Sequence, residues 1–148
     1  MAELEPLRSH GFLTTYNGTS IIPSAITVVG SGEARLDLIT ARAKRDLFFD
    51  ARLDLLSIPE YAHLDASISP MASVNIAHSG YRSIFCWRRE PYEKMQEWIE
   101  AARTRGIAAR FWGGPKRWAW LRRRVWSNLV RLGVDWLNSD ELEEASLF

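Results

Sequence analysis

Two stretches in the last third of the chain carry apolar residues at helical spacing. The first stripe comprises Met95, Trp98, Ile99 and Ala102. It predicts a helix over residues 91–105, because Pro91 suits a first helical turn and Gly106 suits a helix end. The second stripe comprises Trp118, Leu121, Val125, Leu129 and Leu132. It predicts a second helix, which Gly133 ends.

Short apolar runs predict strands between the helices. IAARFW (107–112) and VDWLN (134–138) flank the second helix, and DELEEA (140–145) predicts a short helix with acidic residues at its start. Upstream, EPLRSHG (5–11) is typical of a helix end, and residues 33–44 have helical periodicity. Three upstream runs favour strands, namely FLTTY (12–16), ITVVG (26–30) and DLFFDA (46–51). This alternation predicts a parallel sheet covered by helices.

The middle of the chain is less regular. We expect one domain over residues 1–148, with residues 51–90 as an irregular, insertion-like segment. Within it, ASVNIA (72–77) favours a strand, residues 61–70 favour a loop, and YRSIFCW (81–87) has no assignment. The chain holds about five strand and helix units, whereas a closed eight-unit barrel usually needs about 250 residues. The predicted fold class is therefore α/β, without a closed barrel.

Composition excludes some classes of function. The 148 residues include 19 Lys and Arg and 18 Asp and Glu, so the formal net charge is +1. This balance does not favour nucleic acid or another polyanionic partner. No targeting signal is present and no apolar run approaches the roughly 18 residues of a membrane helix. We expect a soluble chain without a transmembrane segment, and its cellular location stays open.

Cysteine and tryptophan add two structural expectations. The single cysteine, Cys86, cannot form an intrachain disulfide, and we expect it to be a buried thiol. Five of the seven tryptophans lie between residues 98 and 126. They predict a denser core in the C-terminal half of the chain.

Several motifs carry a resemblance to a known family. The tail GIAARFWGGPKRWAWLRRRVWSNLVRLGVDWLNSDELEEA (106–145) resembles the end of the phospholipase C-like phosphodiesterase superfamily. It is most similar to the fungal branch that is related to glycerophosphodiester phosphodiesterases and named for altered inheritance of mitochondria. LEPLRSHGFLTTYNGT (4–19), ITVVGSG and DLFFDA resemble middle strands of that family in the same order. The resemblance implies a partial (β/α) barrel of TIM type, comprising about the last five units.

The same resemblance limits the chemistry expected of this chain. These enzymes use a histidine pair and a divalent metal ion, such as Mg²⁺ or Ca²⁺, bound by carboxylates at the first barrel strands. The resemblance implies that this chain begins after those strands. His10, His63 and His78 stand in no His-Arg-Gly or Glu-x-Asp motif. We therefore assign no catalytic residue, metal ligand or cofactor to this chain.

Four residues are candidate substrate-binding residues. The resemblance puts Trp112 at the carboxyl end of a strand, where such barrels bind ligands; the alternative is a core tryptophan. Asp50 and Asn138 would also lie at carboxyl ends of strands and line a cleft, or each caps the following segment. Asn17 is the fourth candidate. The triplet NGT that begins there favours a turn over a glycosylation acceptor.

The stretch that follows Trp112 is basic and rich in glycine. Gly113 stands where the family pattern has aspartate, and the Gly113–Gly114 pair could present backbone N–H groups to a phosphate. The basic residues are Lys116, Arg117, Arg122, Arg123 and Arg124. They form either a nucleic-acid or anionic-membrane patch or a solvated helix face. The solvated face is favoured, because consecutive arginines spread around a helix and the net charge is small.

Two functions of different classes remain open at this level. The chain is either the C-terminal part of an enzyme that hydrolyses lipid or glycerol phosphodiesters, inactive alone, or a non-catalytic half-barrel that binds a partner. In both cases the open sheet edges need an N-terminal barrel half or a second copy of the chain, since they expose unpaired backbone groups.

Overall fold

The computed structural model of the protein describes residues 2–81 and 90–148. Its helices are α1 (Glu5–Ser9), α2 (Leu36–Thr40), α3 (Glu90–Arg103), α4 (Ala119–Leu132) and α5 (Leu142–Ser146). Its strands are β1 (Thr15–Tyr16), β2 (Ile21–Ile22), β3 (Val29–Gly30), β4 (Phe48–Arg52), β5 (Met71–Asn75), β6 (Ala108–Trp112) and β7 (Trp136–Leu137). Short 3-10 turns cover Ala2–Leu4, Leu53–Leu55, Pro59–Tyr61 and Ile76–Ser79.

Strands β3 to β7 form one parallel sheet in sequence order. Every neighbouring pair in this sheet is parallel. In the described part of the chain β3 and β7 are the edges of the sheet and do not pair with each other, so the sheet is open. The predicted α/β class, with parallel strands and outer helices, is confirmed. The architecture is consistent with part of a β/α barrel.

Most of the predicted strands belong to this sheet. The runs ITVVG, DLFFDA, ASVNIA, IAARFW and VDWLN each contain one of its strands. The strand in ASVNIA, β5, is the middle strand of the sheet and lies inside residues 51–90, the range expected to be insertion-like. Cys86 and most of YRSIFCW lie outside the described residues.

The run FLTTY contains a strand, β1, as predicted, but this strand does not belong to the parallel sheet. Leu13 forms a single parallel bridge with Ile26, but β1 then pairs antiparallel with β2 as a hairpin. The turn of this hairpin begins at Asn17, whose side-chain oxygen accepts hydrogen bonds from the backbone N–H groups of Thr19 at 2.8 Å and Ser20 at 2.9 Å. Asparagine at this position folds the chain back on itself, as the turn interpretation predicted.

Two helix predictions need correction. The helix expected over residues 33–44 is limited to α2, in which Ile39 is the buried residue, so little apolar packing supports a longer helix. Trp118 precedes α4 and is 48% exposed, whereas Trp126 is buried with the predicted stripe residues. Gly133 ends α4 as predicted, with φ of 83°; its N–H bonds to the carbonyls of Leu129 and Val130.

The tryptophans do not form the dense core that their positions suggested. Of those between residues 98 and 126, only Trp98 and Trp126 are buried. Trp112, Trp118 and Trp120 are 44%, 48% and 55% exposed. Aromatic side chains therefore cover part of the surface near the start of α4.

One face of the sheet is apolar and packs against α3. Its strand residues are Ala51, Ala72, Val74, Ala109 and Phe111, and the helix contributes Met95, Trp98, Ile99 and Ala102. The rings of Trp98 and Phe111 stack with centroids 6.4 Å apart. Small alanines on the strands allow the helix to approach closely, so this packing fixes which face of every strand is covered.

The opposite face of the sheet is polar towards the carboxyl ends of its strands, whereas Phe48 at the start of β4 is buried on this face. Because side chains alternate along a strand, the residues between the buried ones point away from α3, and they include Asp50, Ser73 and Arg110. None of the helices in the described ranges is long and apolar enough to cross a membrane.

Replacing Ile99 with alanine tests the core. Ile99 is 1% exposed, so we expect Ile99→Ala to lower the free energy of unfolding by about 2–5 kcal/mol through lost burial and a cavity. Leu142→Ala is the control, because Leu142 is 78% exposed and should change stability by less than about 0.5 kcal/mol. Urea unfolding followed by circular dichroism measures both. Equal effects of the two substitutions would contradict the assigned core.

Candidate ligand-binding cleft

A cleft of about 730 Å³ lies at the carboxyl ends of the sheet strands. Its wall comprises Ser31 after β3, Asp50 in β4, Ser73 in β5, Arg110 and Trp112 in β6, and Asn138 after β7. The rim consists of residues 113–116 and 139–141. Parallel α/β folds bind their ligands at this end of the strands.

Sheet register brings the polar wall residues together. Ser73 lies opposite Arg110, and Arg110 lies opposite Trp136. Asn138, two residues after Trp136, therefore points to the same side. Asp50 joins this row through a 2.7 Å hydrogen bond that the Ser73 hydroxyl donates to its Oδ2 atom. The polar face is thus a connected row of side chains across β4 to β7.

Asp50 carries a perturbed carboxyl group. Burial raises its pKa above the ordinary value, although the hydrogen bond from Ser73 and the charge of Arg110 act in the opposite direction. Its second oxygen, Oδ1, is buried without a hydrogen-bond partner among the described residues. A carboxyl group with an unpaired oxygen favours its protonated form, which can donate a hydrogen bond.

Three cations line the cleft: Lys116 and Arg122 pair with Asp140 and Glu144, whereas Arg110 lacks a carboxylate partner in the described residues. Its Nε atom donates to Oδ1 of Asn138 at 3.1 Å, and Nη2 donates to the same oxygen. Within the described ranges no carboxylate forms an ion pair with Arg110; Asp50 acts on it only at longer range. The guanidinium is held by an uncharged amide, so its positive charge remains available to an anion.

The loop after Trp112 is tightly constrained. Gly113 has φ of +77°, and a Cβ atom there would lie 2.7 Å from Oδ1 of Asn75. The Asn75 side chain is itself fixed, because Oδ1 accepts from the Ala77 N–H at 3.0 Å. The aspartate that the family pattern has at residue 113 would therefore force Asn75 to move. Trp112, 44% exposed, forms the adjoining wall.

Acidic residues near the C-terminus pair with part of the basic stretch. Arg122 and Arg123 both bind Glu144, the latter at 2.9 Å, and Arg122 holds the pKa of Glu144 below its ordinary value. Lys116 lies 3.8 Å from Asp140. Two carboxylates thus lie beside three of the five basic side chains and lower the positive charge of this surface in part.

The structure brings three of the four predicted site residues together. Trp112, Asp50 and Asn138 line the same cleft, whereas Asn17 lines a second cleft beside the hairpin. The sequence analysis does not identify Arg110 as a site residue, because IAARFW is largely apolar and predicts a buried strand. Its alternation holds the signal: Arg110 shares the period-two face of Trp112.

The histidines lie elsewhere. Nδ1 of His78 lies 3.2 Å from Oδ2 of Asp54, which also pairs with Arg52 at 2.6 Å. His10 stacks on Phe12 with ring centroids 5.7 Å apart. Across residues 2–81 and 90–148, no group of three or more His, Cys, Asp or Glu side chains could hold a metal ion. One carboxyl group beside a guanidinium does not suit a divalent cation either, so no step is assigned to a metal here.

An open parallel sheet with a cleft at the carboxyl ends of its strands is consistent with part of a β/α barrel. Comparison with known proteins shows a family that this chain resembles. Residues 1–50 match the AIM6-like phosphodiesterase domain. The matched range includes the hairpin, β3 and the start of β4.

Two curated fungal proteins are similar to almost the whole chain. The altered inheritance of mitochondria protein 6 homolog of Arthroderma benhamiae is 32% identical over 144 residues, which cover 96% of this chain and 45% of that protein. Altered inheritance of mitochondria protein 6 of Eremothecium gossypii is 27% identical over 159 residues, covering 98% of this chain and 40% of that protein. The chain thus spans less than half the length of these relatives. No solved structure matches it.

These matches support the fungal branch that the sequence motifs indicated, and with it a phosphodiesterase-like relationship. The alignment to the Arthroderma benhamiae protein includes 96% of this chain and so covers the segments that build the cleft. The family model matches residues 1–50.

Replacing Asp50 with asparagine tests the electrostatics of the cleft. A raised pKa means that the folded state binds a proton more tightly than the unfolded state, so ionisation of Asp50 destabilises the fold as pH rises. We expect the free energy of unfolding of Asp50→Asn, relative to the natural chain, to increase between about pH 3 and pH 7. Urea unfolding at several pH values measures this difference.

Asp46→Asn is the matched control with the opposite sign. Arg8 donates to Asp46 at 2.5 Å and lowers its pKa, so ionised Asp46 stabilises the fold, and this stabilisation is lost as pH falls through the lowered pKa. The relative stability of Asp46→Asn should therefore decrease as pH rises. If the relative free energy of unfolding changed with pH in the same direction for both variants, the opposite pKa shifts of Asp50 and Asp46 would be contradicted.

Proposed function

We propose that this chain forms the closing, ligand-binding part of a phospholipase C-like phosphodiesterase barrel, whose cleft receives a phosphodiester of lipid or glycerol type. The observation that carries the proposal is Arg110, a half-buried guanidinium on the polar face with no carboxylate partner in the described residues. A phosphodiester carries one negative charge and accepts hydrogen bonds from a planar guanidinium. The likeness to the AIM6-like phosphodiesterase domain supports this ligand class.

Each wall residue has a role in this proposal. Arg110 binds the non-bridging phosphate oxygens, and Asn138 holds the guanidinium in place through its side-chain oxygen. Trp112 packs against the carbon skeleton of the alcohol, since its exposed ring forms the outer wall. Burial raises the pKa of Asp50, and in its protonated form this carboxyl group can donate a hydrogen bond to a ligand oxygen.

The proposal assigns binding, and not bond cleavage, to this chain. Of the three histidines none lines the cleft, and the described residues form no metal centre. The acid–base groups, and the divalent metal ion that the resemblance implies, would lie in other strands of the complete barrel. The lengths of the relatives support this division, because the chain corresponds to 45% and 40% of them.

A second candidate function is a non-catalytic half-barrel that associates with a partner or with itself. The observation that favours it is apolar exposure at both sides of the open sheet. Phe12 and Ile26 are 47% and 38% exposed near the β3 side, and Trp136 in edge strand β7 is 59% exposed. Open parallel edges of this kind are stabilised by pairing with further strands.

Binding of glycerophosphocholine tests the ligand class. We expect the purified chain to bind this diester in isothermal titration calorimetry and not to bind glycerol at the same concentration. Arg110→Gln should weaken binding about tenfold or more, because a charge-assisted hydrogen bond is lost. The control Arg131→Gln removes an exposed charge at the end of α4 and should leave affinity unchanged. Unaltered affinity in Arg110→Gln, with wild-type melting temperature, would overturn the proposed role.

A turnover assay tests whether this chain binds without cleaving. We expect no hydrolysis of bis(p-nitrophenyl) phosphate by the isolated chain with added Mg²⁺ or Ca²⁺, since no histidine lines the cleft and the described residues form no metal centre. Turnover that persists through repurification and is abolished by Arg110→Gln would contradict the division of labour. Analytical ultracentrifugation tests the second function, for which we expect a dimer or larger species that dissociates on dilution.

A further inference from the structure

A second cleft, of about 890 Å³, lies at the amino end of β4. The β1–β2 hairpin, α2 and residues 41–47 enclose it, and none of its wall residues lines the first cleft. Its volume is in the range of small-molecule sites. It is therefore a separate candidate site, at the other end of β4 from Asp50.

The walls of this second cleft are mostly apolar. α2 contributes Leu38 and Ile39, and the flanking segments contribute Ala34 and Leu47. Leu38 is 59% exposed although it belongs to a cleft wall. Apolar surface of this kind gains free energy when an aliphatic chain covers it.

Cations predominate among the charged groups of the cleft. Five basic residues line it, namely Arg8, Arg35, Arg42, Lys44 and Arg45, against one carboxylate, Asp46. Arg8 is neutralised by Asp46 at 2.5 Å, and Arg35 is neutralised by Asp37 at 2.5 Å. The other three cations form no ion pair with any described residue, although the charge of Arg42 contributes to lowering the pKa of Asp46. Their charge is left for a ligand to balance.

Arg45 is held in place before any ligand arrives. Its guanidinium lies 4.1 Å from the centre of the Tyr16 ring, and Nη2 donates to the Ser67 carbonyl at 2.6 Å. Its buried Nε–H has no acceptor in the described part of the chain. A fixed cation loses little conformational entropy on binding an anion.

We propose that the second cleft binds a single-chain anionic amphiphile, such as a long-chain carboxylate. The aliphatic chain lies on Leu38, Ile39 and Leu47, and the anionic group lies among Arg42, Lys44 and Arg45. Charge complementarity selects this occupant: apolar walls alone accept a neutral chain, and three unpaired cations require an anion at one end. Asn17, which borders the cleft, is placed to contact this ligand. The site is independent of the phosphodiester cleft.

Dodecanoate below its micellar concentration is the probe, measured by isothermal titration calorimetry on the full chain. We expect it to bind at least about tenfold more tightly than either dodecan-1-ol, which lacks the charge, or acetate, which lacks the chain. The double variant Arg42→Gln/Lys44→Gln should lose about tenfold or more in dodecanoate affinity. Leu38→Asn should also weaken dodecanoate binding, because it removes an apolar side chain from the cleft wall. All three positions are exposed, so the fold should be retained.

Arg117→Gln/Arg131→Gln is the matched control, since it removes the same charge from exposed positions outside both clefts. It should leave dodecanoate affinity unchanged. Equal affinity for dodecan-1-ol and dodecanoate, equal loss in both double variants, or binding only to phosphatidylserine vesicles would each overturn the proposal. Glycerophosphocholine affinity should be the same in Arg42→Gln/Lys44→Gln and the natural chain, so failure at one cleft is distinguishable from failure at the other.

Discussion

Packing of α3 against one face of the parallel sheet is the constraint on which the rest of the structure depends. Met95, Ile99 and Ala102 contact strand residues that are mostly small, so the helix lies close to the sheet and covers alternate side chains of β4, β5 and β6. Because successive side chains of a strand point to opposite sides, burial of one face fixes which residues lie on the other. A shift of one residue in β6 would bury Arg110 against the helix, at a large desolvation cost.

The same constraint creates the cleft. Polar side chains that cannot enter the apolar layer are aligned at the carboxyl ends of the strands, where Ser73, Asp50, Arg110 and Asn138 form connected pairs. Electrostatic tuning follows from this geometry, since burial favours neutral Asp50 while Arg110 keeps a charge without a carboxylate partner in the described residues. This arrangement is the basis of the ligand class that we propose for the cleft, an anion with hydroxyl or ester oxygens.

Much of this architecture could be predicted from periodicity. The α3 stripe and the short apolar runs identified the long helices and the sheet strands, because burial on one side imposes its period on the sequence. Trp118 and the hairpin at Thr15–Tyr16 could not be placed this way, since helix starts and turn pairings depend on local geometry. Asp50 and Asn138 could be identified as site candidates because they lie at the carboxyl ends of predicted strands. Arg110 was missed because its role depends on register with Ser73 and on contact with Asn138, both long-range features.

The most direct test of the account is to locate bound phosphodiester by nuclear magnetic resonance on ¹⁵N-labelled protein. Addition of glycerophosphocholine should shift the indole N–H of Trp112 and the backbone amides of Gly113 and Gly114, which line the cleft. Signals of the β1–β2 hairpin and of α2, at the amino end of β4, should stay in place. Shifts confined to the hairpin and α2, or no saturable shift at all, would contradict a phosphodiester site on the polar face of the sheet.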